Sequence, residues 1–164
     1  MAEPERIEPA SGQESVWDYP RPPRLERTSE RLVVRLGEVT IADTTAAWRV
    51  LETSQPPAYY LPPGDVAVQH LTRTTHQTFC EWKGLARYFT VVAGDRQATD
   101  GAWSYPGPTP AFEPITDHLA FYAQLFECSV DGERVEPNEG SFYGGWVTSK
   151  VVGPFKGGPG TAHW

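Results

Sequence analysis

Thr78-Phe79-Cys80-Glu81-Trp82-Lys83-Gly84-Leu85-Ala86-Arg87-Tyr88-Phe89-Thr90-Val91-Val92-Ala93-Gly94-Asp95 decides the fold of this chain. β-branched and aromatic residues fill Thr78–Trp82 and Ala86–Val92, the composition that favours a pleated, half-buried surface. Lys83-Gly84 separates them, and Gly94-Asp95 turns the chain again into a third strand over Gln97–Tyr105. The stretch therefore predicts antiparallel strands joined by tight turns. Outward from it the same signals repeat. Arg31-Leu32-Val33-Val34-Arg35-Leu36 alternates charge with apolar residues at a strand's period, and Gly37-Glu38 turns it into Val39-Thr40-Ile41-Ala42. Ala67–Leu71 reads as a strand, and so does Tyr59-Tyr60-Leu61, closed by Pro62-Pro63-Gly64-Asp65. Asp43–Glu52 fits a strand or a short helix capped by Asp43 or Thr44, with strand preferred because of Trp48, Val50 and their β-branched neighbours. One helix is expected after Thr116 or Asp117, where Leu119, Phe121, Tyr122 and Leu125 recur at helical spacing.

Composition agrees with a mostly β domain. The chain has 164 residues, enough for one domain with extensions and a real core. Sixteen prolines and fifteen glycines favour short strands and many turns, and six tryptophans concentrate burial in large rings. The net charge of −7 with no basic stripe argues against nucleic acid and against an anionic membrane surface. No apolar run reaches the roughly 18 residues of a membrane span. Two cysteines and no basic-apolar leader predict a reducing, cytoplasmic setting.

Organisation follows from the same text. Residues 1–15 are polar and expected to be disordered, and 16–30, with Trp17-Asp18-Tyr19-Pro20, form an extended arm. Residues 31–135 form the β-rich core. Residues 136–164, which include Phe142-Tyr143-Gly144-Gly145-Trp146 and Phe155-Lys156-Gly157, form an irregular tail whose rings pack on the core or on a second copy in a homodimer. Aromatic-Lys-Gly occurs twice, at 82–84 and 155–157, too short a repeat to mean duplication.

The chain resembles the family known as domain of unknown function 427, small bacterial and fungal proteins. The resemblance rests on Thr40-Ile41-Ala42-Asp43, Arg49-Val50-Leu51-Glu52, Tyr59-Tyr60-Leu61-Pro62, Thr74-Thr75-His76, Cys80-Glu81-Trp82-Lys83-Gly84, Ala102-Trp103-Ser104-Tyr105-Pro106 and Val130-Asp131-Gly132-Glu133. It implies two small antiparallel sheets meeting like a tent, with no agreed function. Tent-like folds elsewhere hold zinc between two Cys-x-x-Cys knuckles, which this sequence lacks. A nucleotidyltransferase name is attached to the family, but no Gly-Ser element followed by paired strand carboxylates is found here to hold magnesium.

Several chemistries compete for the distinctive residues. His76 and Cys80, four apart, fall short of a four-ligand metal site, so no metal and no cofactor are expected. Cys80 with His76, or Lys83 as an amine, would serve an enzyme such as a hydrolase or isomerase. Against that, Cys80 beside Phe79 and Trp82 reads as a small core residue, and Lys83 at a hairpin turn reads as charged and wet. Aromatic density carries more weight: Tyr59, Tyr60, Trp82, Tyr88, Trp103 and Tyr105 fall on segments of one antiparallel region. The leading expectation is a pocket for a small molecule or peptide lined by Tyr59, Tyr60, His76, Cys80, Trp82, Lys83, Trp103 and Tyr105.

Overall fold

The structure is a computed structural model that describes residues 3–140 and 144–164. Two four-stranded antiparallel sheets dominate it. In the first, Ala120–Phe121, Arg96–Ser104, Gly84–Ala93 and Leu71–Cys80 lie side by side in that order. In the second the order is Glu133–Arg134, Glu127–Val130, Leu32–Leu36 and Val39–Thr44. A three-stranded sheet of Arg24–Arg27, Trp48–Leu51 and Ala58–Tyr60 completes the frame, so the Asp43–Glu52 segment resolves as strand on both sides of a short connection.

Strand alternation builds the cores. Along Leu32–Leu36, Leu32, Val34 and Leu36 are buried while Val33 and Arg35 are only partly covered. They pack with Ile41, Cys128 and Val130 of their own sheet and with Val91, Ala98 and Ala102 of the first sheet. The first sheet uses both of its faces. Phe89 pairs with Ala102 and Tyr88 with Trp103; the former pair faces the main core, while the latter faces a second core with Tyr60, Tyr105, Phe112 and Ile115. Because neighbouring residues point to opposite sides of a strand, one two-residue register step serves both cores.

The arm and tail are part of this packing. Val16, Trp17 and Tyr19 are buried against Leu51 and Val151, and Trp17 Nε1 donates to the Pro154 carbonyl at 2.8 Å. Trp146 is 1% exposed and donates through Nε1 to the Phe121 carbonyl at 2.9 Å, while its ring lies 5.2 Å from that of Tyr59. Phe142 and Tyr143 lie outside the described residues. Within the stretch expected to be disordered, Glu14 and Ser15 pair in parallel with Val151 and Val152, and the Ile7 amide donates to the Gly153 carbonyl at 3.1 Å. Glu14 is held there by charge. Arg49, 13% exposed in its side chain, donates to both Glu14 oxygens at 2.9 and 3.0 Å and to Glu26 Oε1 at 2.7 and 2.9 Å.

Three local expectations change. The helix expected from Thr116 onward sits earlier, as a 3-10 segment Pro110–Ile115. Thr116 closes it, donating to the Glu113 carbonyl at 2.6 Å, and Asp117 turns with φ 59°. Leu119 then exchanges two 2.8 Å backbone hydrogen bonds with Leu61, and Ala120–Phe121 pairs with Ala102 and Trp103. Strand pairing prevails because Leu119, Ala120 and Phe121 are all buried, a run that no single helical face provides. The Ala67–Leu71 strand is a 3-10 turn at Val68–His70, and the adjoining strand runs unbroken from Leu71 to Cys80. That strand stops at Cys80, not Trp82, so Glu81-Trp82-Lys83 form the loop and Gly84, at φ 108°, re-enters the ladder opposite Cys80.

Trp146→Ala removes a fully buried indole and its hydrogen bond, and a loss of about 3–5 kcal/mol is expected in denaturant unfolding. The Arg49 hydrogen bonds hold the Glu14 carboxyl below its ordinary value of 4.5. A depressed carboxyl pKa stabilises the fold above the unfolded value and ceases to do so as pH falls through the folded one. Hydrogen-exchange protection at residues 14–19, taken relative to intrinsic rates, should therefore fall on acidification below about pH 4.5, and Arg49→Met should lower that protection already at neutral pH and flatten its pH dependence.

Candidate functional site

The loop at the tip of the Leu71–Cys80 and Gly84–Ala93 hairpin does not project into solvent. Thr109, in the proline-rich segment after the third strand, clamps it: the Thr109 amide donates to the Lys83 carbonyl at 3.0 Å and its hydroxyl to the Trp82 carbonyl at 2.6 Å. Gly84 packs beside the Gly107 carbonyl, and its φ of 108° is what favours glycine at this position. The clamp turns the Lys83 side chain inward. Lys83 is only 9% exposed, correcting the expectation of a wet turn lysine, and its ammonium lies 5.8 Å from the Tyr105 ring and 5.9 Å from Phe112.

Behind the tip is a cavity of about 430 Å³. Its floor is aromatic. Trp103 Nε1 donates to the Tyr60 hydroxyl at 3.3 Å, with the two rings edge to face. The Trp103 ring lies 4.5 Å from Tyr122 and 6.2 Å from Tyr88. Hydroxyls line one side: Tyr88 Oη is 3.1 Å from Thr78 Oγ1 and 3.4 Å from Tyr122 Oη. Cys80, Trp82 and Lys83 form the wall on the hairpin side, and Glu52, Glu81 and Lys156 stand among the lining groups. The tail supplies the remaining wall. Gly144 packs directly on the Trp103 ring and Gly145 on the Pro56 carbonyl, leaving no room for a Cβ at either position.

Six of the eight residues singled out from sequence meet in this cavity: Tyr60, Cys80, Trp82, Lys83, Trp103 and Tyr105. Tyr59 does not. It alternates with Tyr60 along its strand and so faces the main core, where its hydroxyl donates to Glu30 Oε1 at 3.3 Å. His76 also lies apart. Its ring is 4.4 Å from Tyr88 on a second cavity of about 270 Å³ bounded by Asp100, Tyr122 and Gln124. Tyr88 borders both spaces, so His76 and Cys80 face different ones. An irregular register between Arg73 and Gln77 upsets the simple four-residue spacing that would have put them on one patch. Sequence reasoning missed Tyr122, assigned to a helix, and also Gly144, Gly145 and Lys156. The doubled aromatic-Lys-Gly signature was the available signal, since both of its lysines, Lys83 and Lys156, reach the same cavity.

Burial sets the protonation of the site. It opposes the charge on Lys83, but neighbouring Tyr60 and Cys80, and more weakly Glu52, favour it, and the ammonium's pKa ends above its ordinary value. Desolvation raises Tyr60, Tyr105 and Tyr122 above the normal phenol range, so all three are neutral hydroxyls at neutral pH. The arrangement offers a protonated amine, neutral phenols and ring faces. Among the described residues no group of three or more His, Cys, Asp or Glu is gathered as metal ligands would be. The two thiols contrast: Cys80 is half-buried on the cavity, whereas Cys128 is 1% exposed in the main core and pushed up to about 12 by burial. In the native protein a disulfide reagent such as dithionitrobenzoate should titrate one thiol, at Cys80, and the second only after unfolding; Cys80→Ser should remove the native signal entirely.

No curated protein matches the chain. The family model described as a domain of unknown function (DUF427) matches residues 24–136, taking in both four-stranded sheets, the three-stranded sheet and the hairpin tip that carries Lys83. With more than two thirds of its length matched, the chain belongs to the DUF427 family.

Proposed function

We propose that this protein binds a small molecule in the ring-lined cavity behind the Glu81-Trp82-Lys83 loop. The observation that carries the reading is the lysine: a buried ammonium points into a space of about 430 Å³ walled by Trp103, Trp82, Tyr60 and Tyr105. A close-packed core would fill that volume, because voids larger than a water molecule are few in folded interiors. The size falls within the usual range of small-molecule sites, and apolar walls with a few convergent polar groups are their usual chemistry. Burying a charge is costly, so a lysine kept at such a position by a dedicated threonine clamp favours a binding role over a packing one. The amine is protonated and thus has no free lone pair at neutral pH, which favours binding over attack on a carbonyl.

A thermal-shift screen with small aromatic metabolites, read together with alkylation of Cys80, tests this. A ligand in the cavity raises the midpoint and slows Cys80 alkylation, and Trp82→Ala, at a half-buried wall position, weakens both effects. Hits that raise the midpoint while leaving Cys80 alkylation unchanged would place binding elsewhere and defeat the reading.

A further inference from the structure

We infer that the ligand of this cavity is a small planar organic anion, such as an aromatic carboxylate, whose negative group pairs with Lys83 while its ring lies against Trp103 and Trp82. The inference rests on the binding reading above and adds the ligand's charge.

Among the described residues, charge around the cores is balanced at Arg49 and Lys150 and left open at Lys83. Among the other partly buried cations, Arg49 is neutralised by Glu14 and Glu26, Lys150 bridges Glu30 and Asp131 at 2.8 and 2.9 Å, and Lys156 donates to the Trp164 carbonyl at 3.3 Å. Lys83 is more buried than any of them in residue terms, yet no carboxylate lies within salt-bridge distance of its ammonium. Its close neighbours are the faces of Tyr105 and Phe112, the Tyr60 phenol and the Cys80 sulfur. Tyr60 stays neutral at neutral pH because burial raises its pKa, so it does not cancel the ammonium's charge. Glu52 stands on the cavity wall, but Arg21 takes it at 3.5 Å, and Glu81 is exposed to water. The missing counter-charge must therefore come from outside the chain. Ring faces carry the negative end of the aromatic quadrupole and hold the ammonium from one side, leaving its open side to an anion. A protonated amine with no proton to lose near neutral pH is an electrostatic anchor, and a charge-assisted hydrogen bond in a partly dry site is stronger than one in water.

Indole-3-acetate, indole-3-acetamide and tryptamine share one ring and differ in charge, so they separate the terms when titrated calorimetrically into the full chain. Indole-3-acetate should bind about tenfold or more tightly than the amide, and tryptamine more weakly still. Lys83→Met, checked for folding by its unfolding midpoint, should weaken the acid by about tenfold or more and the amide by less, so that the preference for the acid is lost; Lys83→Arg should retain the preference. Acid affinity should be level from about pH 6 to 9 and decline only as pH rises beyond the ordinary lysine value of 10.5. Amide or amine binding as tightly as the acid, with Cys80 protected from alkylation, would overturn the anion inference and leave the cavity reading standing. Failure of the acid to bind while a neutral screening hit protects Cys80 would have the same meaning. Failure of every compound to protect Cys80 would sink both.

Discussion

Trp103, 6% exposed, must satisfy an indole N–H, and the second core is arranged around that need. The partner is the Tyr60 hydroxyl, carried by a strand of a different sheet, so the hydrogen bond ties the hairpin sheet to the three-stranded one. A buried donor left unsatisfied costs about 1–3 kcal/mol, comparable to a tenth or more of a small domain's net stability. The other contacts of the indole follow from its position. Tyr122 and Tyr88 approach its ring, and the Gly144 backbone covers it where no side chain would fit. On the opposite face of the same strand, Ala102 is small enough to admit Phe89 and Val91 into the main core. One strand thus sets the thickness of one core and the geometry of the other.

Lys83 shows how a local turn is overruled by a distant residue. A three-residue loop at a hairpin tip normally hands its side chains to water. Here two hydrogen bonds from Thr109 fix the Trp82 and Lys83 carbonyls, and the prolines at 106, 108 and 110 hold that threonine in an extended segment that cannot rejoin a ladder. Burial opposes the charge on the ammonium, and Tyr60, Cys80 and Glu52 together favour it by more.

The strands were the legible part of this chain, because alternation and turn chemistry are local. Leu32–Leu36, its hairpin partner and the two strands from 84 to 104 follow from period-two patterning and from glycine at 37, 84 and 94, whereas Leu71–Cys80 was legible only at its C-terminal end. The aromatic site was partly legible for the same reason: Cys80, Trp82, Trp103 and Tyr105 flank recognisable turns. What was illegible depended on partners far along the chain. Spacing at 119–125 is compatible with a helix until Leu61 and Ala102 compete for the same backbone groups. Tyr59 and Tyr60 cannot be told apart by type, only by which of them faces Trp103. The inward turn of Lys83 depends on Thr109, 26 residues later, and no local rule reads such a contact.

The family match ends at residue 136, yet Gly144, Gly145 and Lys156 form part of the cavity wall. The aromatic floor and its lysine fall within the matched residues, and the cover falls beyond them. The cavity is thus closed by two stretches of chain far apart in sequence, and a side chain added at Gly144 or Gly145 would reshape it without touching Lys83.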